Sequence, residues 1–176
     1  MIQLHDLQFQ PYLTPEEIQI TVRTLALQLA EDYADKNPIF VGVLNGAFMF
    51  LSDLLKNFEN NCEVEFAKMK SYEGTSTTGE VKIDLDFPDL TNRHVIVVED
   101  IVDTGNTLLK INELLQQKKL KSLAYCSLFL KPEVYDKDLE INYVGMAIPN
   151  KFIVGYGLDY NGLGRNLPEI YQLKSD

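Results

Sequence analysis

The chain has 176 residues, 45% of them hydrophobic and 24% charged, with a formal net charge of −10 at pH 7. This length suits one well-developed core and is short for two full domains, so residues 1–176 read as a single domain with small additions. The acidic balance disfavours a nucleic-acid binder, which needs clustered Lys and Arg, and no apolar run approaches the roughly 18 to 20 residues of a membrane span.

In chain order, the opening Met1-Ile2-Gln3-Leu4-His5-Asp6 has no basic region leading into an apolar stretch, so a cytoplasmic setting is expected. Thr14-Pro15-Glu16-Glu17 combines an N-cap hydroxyl, a proline suited to the first helical position and a glutamate three residues after the cap. Ile18, Val22, Leu25, Leu29 and Tyr33 then recur at helical spacing, predicting an amphipathic helix ended by Asn37-Pro38. Ile39 to Leu44 is a nearly continuous apolar run, as in a strand covered on both faces, and Asn45-Gly46 turns it into a second helix over Phe48 to Asn57. Cys62 to Tyr72 alternates as a strand does, while Glu73 to Gly79 has no apolar anchor and reads as a mobile loop. The two cysteines, Cys62 and Cys126, form no C-x-x-C pattern and suggest neither a disulfide framework nor a zinc site.

His94 to Val98 is a third strand, followed by a polar turn and a helical pattern at Leu108, Ile111, Leu114 and Leu115. Leu123 to Leu130, Tyr143 to Gly145 and Phe152 to Tyr156 supply the last strands. Strands alternating with helices imply an α/β fold, a parallel-sheet core with flanking helices, which binds ligands outside the carboxyl ends of its strands.

Val95-Ile96-Val97-Val98 delivers Glu99-Asp100 to that edge. Adjacent buried carboxylates repel each other, so they persist where a cation or a pair of hydroxyl donors satisfies them. Asp103, Thr104, Gly105, Asn106 and Thr107 follow and open a helix, bringing backbone N–H groups, hydroxyls and the positive end of the helix dipole to one point. A diol or metal site therefore stands beside a phosphate site. D-T-G alone is a common turn composition and would read as an ordinary helix cap. The whole arrangement of apolar run, E-D, two apolar residues, D-T-G-x-T and helix is far more restrictive. Neither a P-loop nor a G-x-G-x-x-G dinucleotide turn is present.

These residues resemble those of the type I phosphoribosyltransferases, and among them the hypoxanthine-guanine phosphoribosyltransferases, along most of the chain. The resemblance implies a small hood formed by the terminal segments, added to the parallel-sheet core. It implies that Glu99 and Asp100 hold the ribose hydroxyls of phosphoribosyl pyrophosphate, that Asp103 serves as general base or acid at purine N7, and that Thr104 to Thr107 bind the 5′-phosphate. Lys131, by composition a surface lysine after a core strand, becomes under the resemblance the donor to the purine 6-oxo group, a bond that adenine cannot accept. The stretch Ile148 to Asn161 is a second match. There Phe152 would stack on the purine, the backbone of Ile153 would bond its edge, and Asp159 would help hold magnesium, with Glu99 and Asp100 as further candidates. Arg165 would approach the pyrophosphate. Ser71 and Tyr72 head the polar loop, which in relatives closes over the site and excludes water.

One departure concerns the pyrophosphate loop, where relatives often carry Leu-Lys-Gly and this chain has Leu44-Asn45-Gly46, leaving backbone N–H groups to make the contact. Magnesium answers the charge problem, since an acidic protein can bind an anionic substrate if metal comes with it. The partners implied are phosphoribosyl pyrophosphate and a 6-oxopurine, with no nucleic acid and no membrane, in a homodimer or homotetramer. The competing readings are an enzyme for another base, such as xanthine, and a regulator that senses phosphoribosyl pyrophosphate. A regulator would need a basic face, and the chain shows none.

Overall fold

A computed structural model describes residues 1–69, 83–84 and 89–174. Ser71, Tyr72 and the polar loop Glu73 to Gly79 lie outside the described residues. Two strands, β1 (Ile2–Leu4) and β2 (Leu7–Leu13), precede the first helix, α1 (Pro15–Asp32). The capping box forms as its spacing predicts: the Glu17 N–H donates to Thr14 Oγ1 at 3.3 Å and the Thr14 N–H donates to Glu17 Oε2 at 2.8 Å. Such a cap stabilises a helix by about 1 kcal/mol. Ile18, Val22, Leu25, Ala26 and Leu29 make its buried face. The helix stops at Asp32, short of the expected Asn37-Pro38, because the chain turns through left-handed backbone at Asp35 (φ 59°) and Asn37 (φ 43°).

The remaining elements are β3 (Ile39–Leu44), α2 (Phe48–Lys56), β4 (Glu63–Met69), β5 (Ile83–Asp84), β6 (His94–Val102), α3 (Asn106–Leu115), β7 (Ser122–Leu130), β8 (Tyr143–Ala147), β9 (Ile153–Val154) and β10 (Ile170–Leu173). One sheet has the order β5-β4-β3-β6-β7-β8, and every pairing from β4 to β8 is parallel, with β5 antiparallel at the edge. The strands read as unbroken apolar runs because helices cover both faces. Ile96 and Val98 point into the core under α1 and α2, whereas Val95 and Val97 point into the core under α3. No helix among the described residues is long and apolar enough to cross a membrane.

β6 runs four residues beyond the expected end at Val98. Its pairing with β3 ends at Gly42 opposite Val98, but pairing with β7 continues to Val102 opposite Leu130. Glu99 and Asp100 therefore belong to a strand that is open on the β3 side only, and adjacent strand residues face opposite sides of the sheet.

The second sheet is antiparallel, with the order β1-β2-β10-β9, and forms the hood from the two terminal segments. The expected strand Phe152 to Tyr156 shrinks to Ile153–Val154 and joins this sheet rather than the parallel one. Phe9, Val154 and Tyr171 are buried together in its own small core, while Ile153, Tyr156 and Ile170 reach into the main core and join the two layers.

Candidate active site

The carboxyl ends of β3, β6 and β7 and the loop after β9 converge on one cavity of about 220 Å³. Asp100, Asp103, Lys131, Phe152, Asp159 and Arg165 are among its walls. A neighbouring hollow of about 90 Å³ is bounded by Glu99 and by Ile101 to Leu108. The strand pleat explains the division: Asp100 faces the first space and Glu99 the second, and Asp103, after the strand, borders both. The two acids act as a pair through their adjacency and not by sharing a face.

Both acids are only 8% exposed. Burial pushes the Glu99 carboxyl well above its usual range, and the neighbouring Asp100 adds to the shift. Glu99 Oε2 is buried with no hydrogen-bond partner among the described residues. A buried acceptor left unpaired is costly, so a ligand bringing a donor or a cation gains binding free energy here. Asp100 is raised to about 6, first by burial; the N–H groups of Asp100 and Ile101 and the charge of Arg165 oppose the rise, and Asp159 adds to it.

The loop after β3 runs directly against Asp100. A Cβ at Gly46 would stand 1.9 Å from Asp100 Oδ2, and a Cβ at Gly157 (φ +101°) would stand 2.2 Å from the Gly46 carbonyl oxygen. Only glycine fits between them. The Leu44–Asn45 peptide is cis, and Asn45 is exposed beside the cavity rather than among its walls.

The phosphate turn begins where β6 ends. Gly105 is left-handed (φ 77°) and caps α3 with no side-chain hydrogen bond, so the N–H groups of the first turn, from Asn106 and Thr107 onward, have no cap competing for them. With Thr104, they line the 90 Å³ hollow, and an anion there would meet both unpaired donors and the helix dipole.

Lys131 follows β7 and is 6% exposed, unusual for a lysine and contrary to the surface position that its place after a core strand suggested. Its Nζ donates to Asp103 Oδ2 at 2.8 Å, joining the two residues expected to read and deprotonate a base. Phe152 is 42% exposed at the cavity rim, with Phe9 and Tyr160 at ring-centroid distances of 6.0 and 5.7 Å. Ile153 is buried behind it and also borders the space.

Arg165 lies at the other end. It donates to the Gly157 carbonyl at 2.7 Å and pairs with Asp159 Oδ1 at 2.6 Å, while Asp159 Oδ2 accepts the Gly162 N–H at 2.7 Å. This cation is engaged within its own loop. No group of three or more His, Cys, Asp or Glu able to hold a metal occurs among the described residues. Asp100 and Asp159 line the larger space and Glu99 the smaller one, so the three acids expected to hold magnesium do not form one such group.

Residues 12–161 match the phosphoribosyl transferase domain. The chain belongs to that family. It is 45% identical over 166 residues, 93% of each chain, to the hypoxanthine-guanine phosphoribosyltransferase of Staphylococcus aureus strain Mu50. It also superposes on solved members of the phosphoribosyl transferase family. One is a hypoxanthine phosphoribosyltransferase from Staphylococcus aureus, with a TM-score of 0.87 and 45% identity, covering 96% of this chain and 92% of the other. Another is a hypoxanthine-guanine phosphoribosyltransferase from Bacillus anthracis, with a TM-score of 0.87 and 38% identity, covering 96% of this chain and 100% of the other.

As a phosphoribosyl transferase fold, the chain brings Glu99, Asp100, Asp103 to Thr107, Lys131, Phe152, Ile153, Asp159, Arg165 and Gly46 to the two adjoining spaces. Sequence reasoning missed the walls Ile101 and Leu158 and the Gly157 contact. Gly155-Tyr156-Gly157 was the available signal, since glycines alternating about a tyrosine mark a backbone held close to another chain segment. All three residues are left-handed.

Proposed function

We propose that this protein is a magnesium-dependent phosphoribosyltransferase of purine salvage. It transfers the 5-phosphoribosyl group of phosphoribosyl pyrophosphate to N9 of hypoxanthine or guanine, giving IMP or GMP and pyrophosphate. The observation that carries the reading is the ion pair of Lys131 with Asp103 at 2.8 Å, beside two buried carboxylates and an uncapped helix start.

In this reaction N9 forms the bond to C1′ of the ribose. The bond from C1′ to the pyrophosphate oxygen breaks, and its electron pair leaves with the pyrophosphate. Asp103 accepts the purine N7 proton as charge shifts onto the ring, a role worth about 10² to 10⁴-fold. Lys131 donates to the 6-oxo group, Phe152 stacks on the base, and the carboxylates of Glu99 and Asp100 accept from the ribose hydroxyls and favour the positive charge that develops on the sugar. Thr104 to Thr107 take the 5′-phosphate, and Gly46, Asn45 and Arg165 the pyrophosphate. Ser71 and Tyr72 belong to the covering loop in this proposal. Magnesium, held by Asp159 with Glu99 and Asp100 as further candidates, would neutralise charge on the departing pyrophosphate. A single catalytic domain, a homodimer or homotetramer and a cytoplasmic setting complete the reading.

The test is turnover by the purified protein with phosphoribosyl pyrophosphate and magnesium, against hypoxanthine, guanine, xanthine and adenine in parallel. Nucleotide from the first two and none from adenine is expected. Nucleotide from none of them removes the proposal, and nucleotide from xanthine alone replaces its substrate.

A further inference from the structure

The turn after β7 begins at Lys131 and ends on the phosphate turn. The Lys131 N–H donates to the Val102 carbonyl at 2.9 Å, which fixes the start of the turn to the end of β6. The Val134 and Tyr135 N–H groups both donate to the Lys131 carbonyl, at 3.2 and 3.1 Å, and close it. The Tyr135 hydroxyl donates to the Leu139 carbonyl, anchoring the ring from its far edge. One edge of the ring then occupies the space where Gly105 lacks a side chain: a Cβ built on Gly105 would stand 2.4 Å from Tyr135 Cε2, 3.0 Å from its Cδ2 and 3.2 Å from Lys137 Cγ.

Glycine permits a left-handed conformation but does not enforce it, because it populates positive and negative φ about equally. Something else must select the φ of 77° that opens α3 at Gly105 and leaves the first-turn N–H groups uncapped. A ring packed into the missing side chain's place does this sterically, since other backbone angles at Gly105 would move the turn into it or away from it. We infer that Tyr135 is a positioning residue for the 5′-phosphate: its ring holds Gly105 in the conformation that aims the α3 N–H groups into the hollow. Through the Lys131 carbonyl, the same turn fixes that hollow relative to the base-reading ammonium. Tyr135 thus sets the spacing between the two ends of a nucleotide without touching either.

This assignment rests on the proposed function, and the experiment separates the two. Calorimetric binding of inosine and of IMP to the full-length protein gives an affinity ratio that isolates the phosphate. In Tyr135→Ala that ratio should fall about tenfold, the loss of roughly one charge-assisted hydrogen bond, with inosine binding held within twofold. KM for phosphoribosyl pyrophosphate should rise by a similar factor with little change in kcat, because the phosphate is bound equally in ground and transition states. Tyr135→Phe keeps the ring and should restore the ratio, which a general loss of stability would not predict. If Tyr135→Ala fails to fold, Tyr135→Leu, which keeps apolar bulk but not a flat ring, carries the same expectation. A wild-type preference for IMP that survives in Tyr135→Ala or Tyr135→Leu overturns the assignment alone. A wild-type protein that binds IMP no better than inosine overturns the assignment together with the function beneath it.

Discussion

Gly46→Ala tests how tightly the pyrophosphate loop is held. The new Cβ would stand 1.9 Å from Asp100 Oδ2, 2.5 Å from its Cγ and 2.7 Å from Oδ1, whereas real Cβ atoms keep at least 3.0 Å, so the loop or the carboxyl must give by about 1 Å. Asp100 is buried in a strand still paired with β7, and retreat of the loop is blocked because Gly157 already lies against the Gly46 carbonyl. Overpacking of this kind costs about 1–3 kcal/mol of stability. The larger effect should be on turnover, since displacing a positioning group by roughly 1 Å can cost about 10²-fold. Steady-state kinetics in phosphoribosyl pyrophosphate should show kcat/KM reduced by about that factor, with a lower melting temperature. Removing the opposing carboxyl supplies a check: Gly46→Ala with Asp100→Ala should be more stable than additivity of the single changes predicts. A Gly46→Ala protein with kcat/KM within threefold of wild type, or a double variant showing no coupling, would refute the reasoning.

Lys131→Met keeps the buried stem and removes the ammonium, so the preference for hypoxanthine over adenine should fall by at least about 10²-fold in kcat/KM, as expected where a site loses the donor that reads its substrate; an unchanged ratio in a competition assay would take Lys131 out of base selection. Asp103→Asn should lower single-turnover rates by about 10² to 10⁴-fold while the affinity for phosphoribosyl pyrophosphate, measured by calorimetry, stays within a few-fold, because the residue acts on the base and not on the sugar phosphate. For Asp100, raised from 3.8 to about 6, the folded state favours the protonated carboxyl; its contribution to stability is full below pH 4 and is lost as the pH rises through about 6. The melting temperature of the ligand-free wild type, taken relative to Asp100→Asn, should therefore fall between pH 4 and pH 7, and a flat or rising difference would contradict the sign.

The sequence by itself determined the parallel core and which residue types stand at the ends of its strands. Unbroken, short apolar runs rich in β-branched residues at Ile39 to Leu44 and His94 to Val98 read as strands covered on both faces, and the Thr14 to Glu17 spacing fixes a helix start through bonds made within four residues. Glu99 to Thr107 was legible for the same reason: strand, acids, turn and helix follow one another along the chain, so their proximity needs no tertiary information. The nature of each group was readable in the same way, because charge, hydroxyl and glycine belong to the residue and not to its surroundings.

Tertiary structure decided what depends on partners distant in sequence. β6 extends to Val102 because β7 offers it hydrogen bonds, and that extension alone turns Glu99 and Asp100 to opposite faces. The strand at Ile153–Val154 went to the hood because β10, arriving from the end of the chain, pairs with it. Burial of Lys131 against Asp103, the hold of Gly157 on the Gly46 loop and the packing of Tyr135 on Gly105 all join segments that no local pattern connects. A residue's chemical type is a property of one position, whereas its exposure, its facing side and its ionisation are set by what folding brings against it.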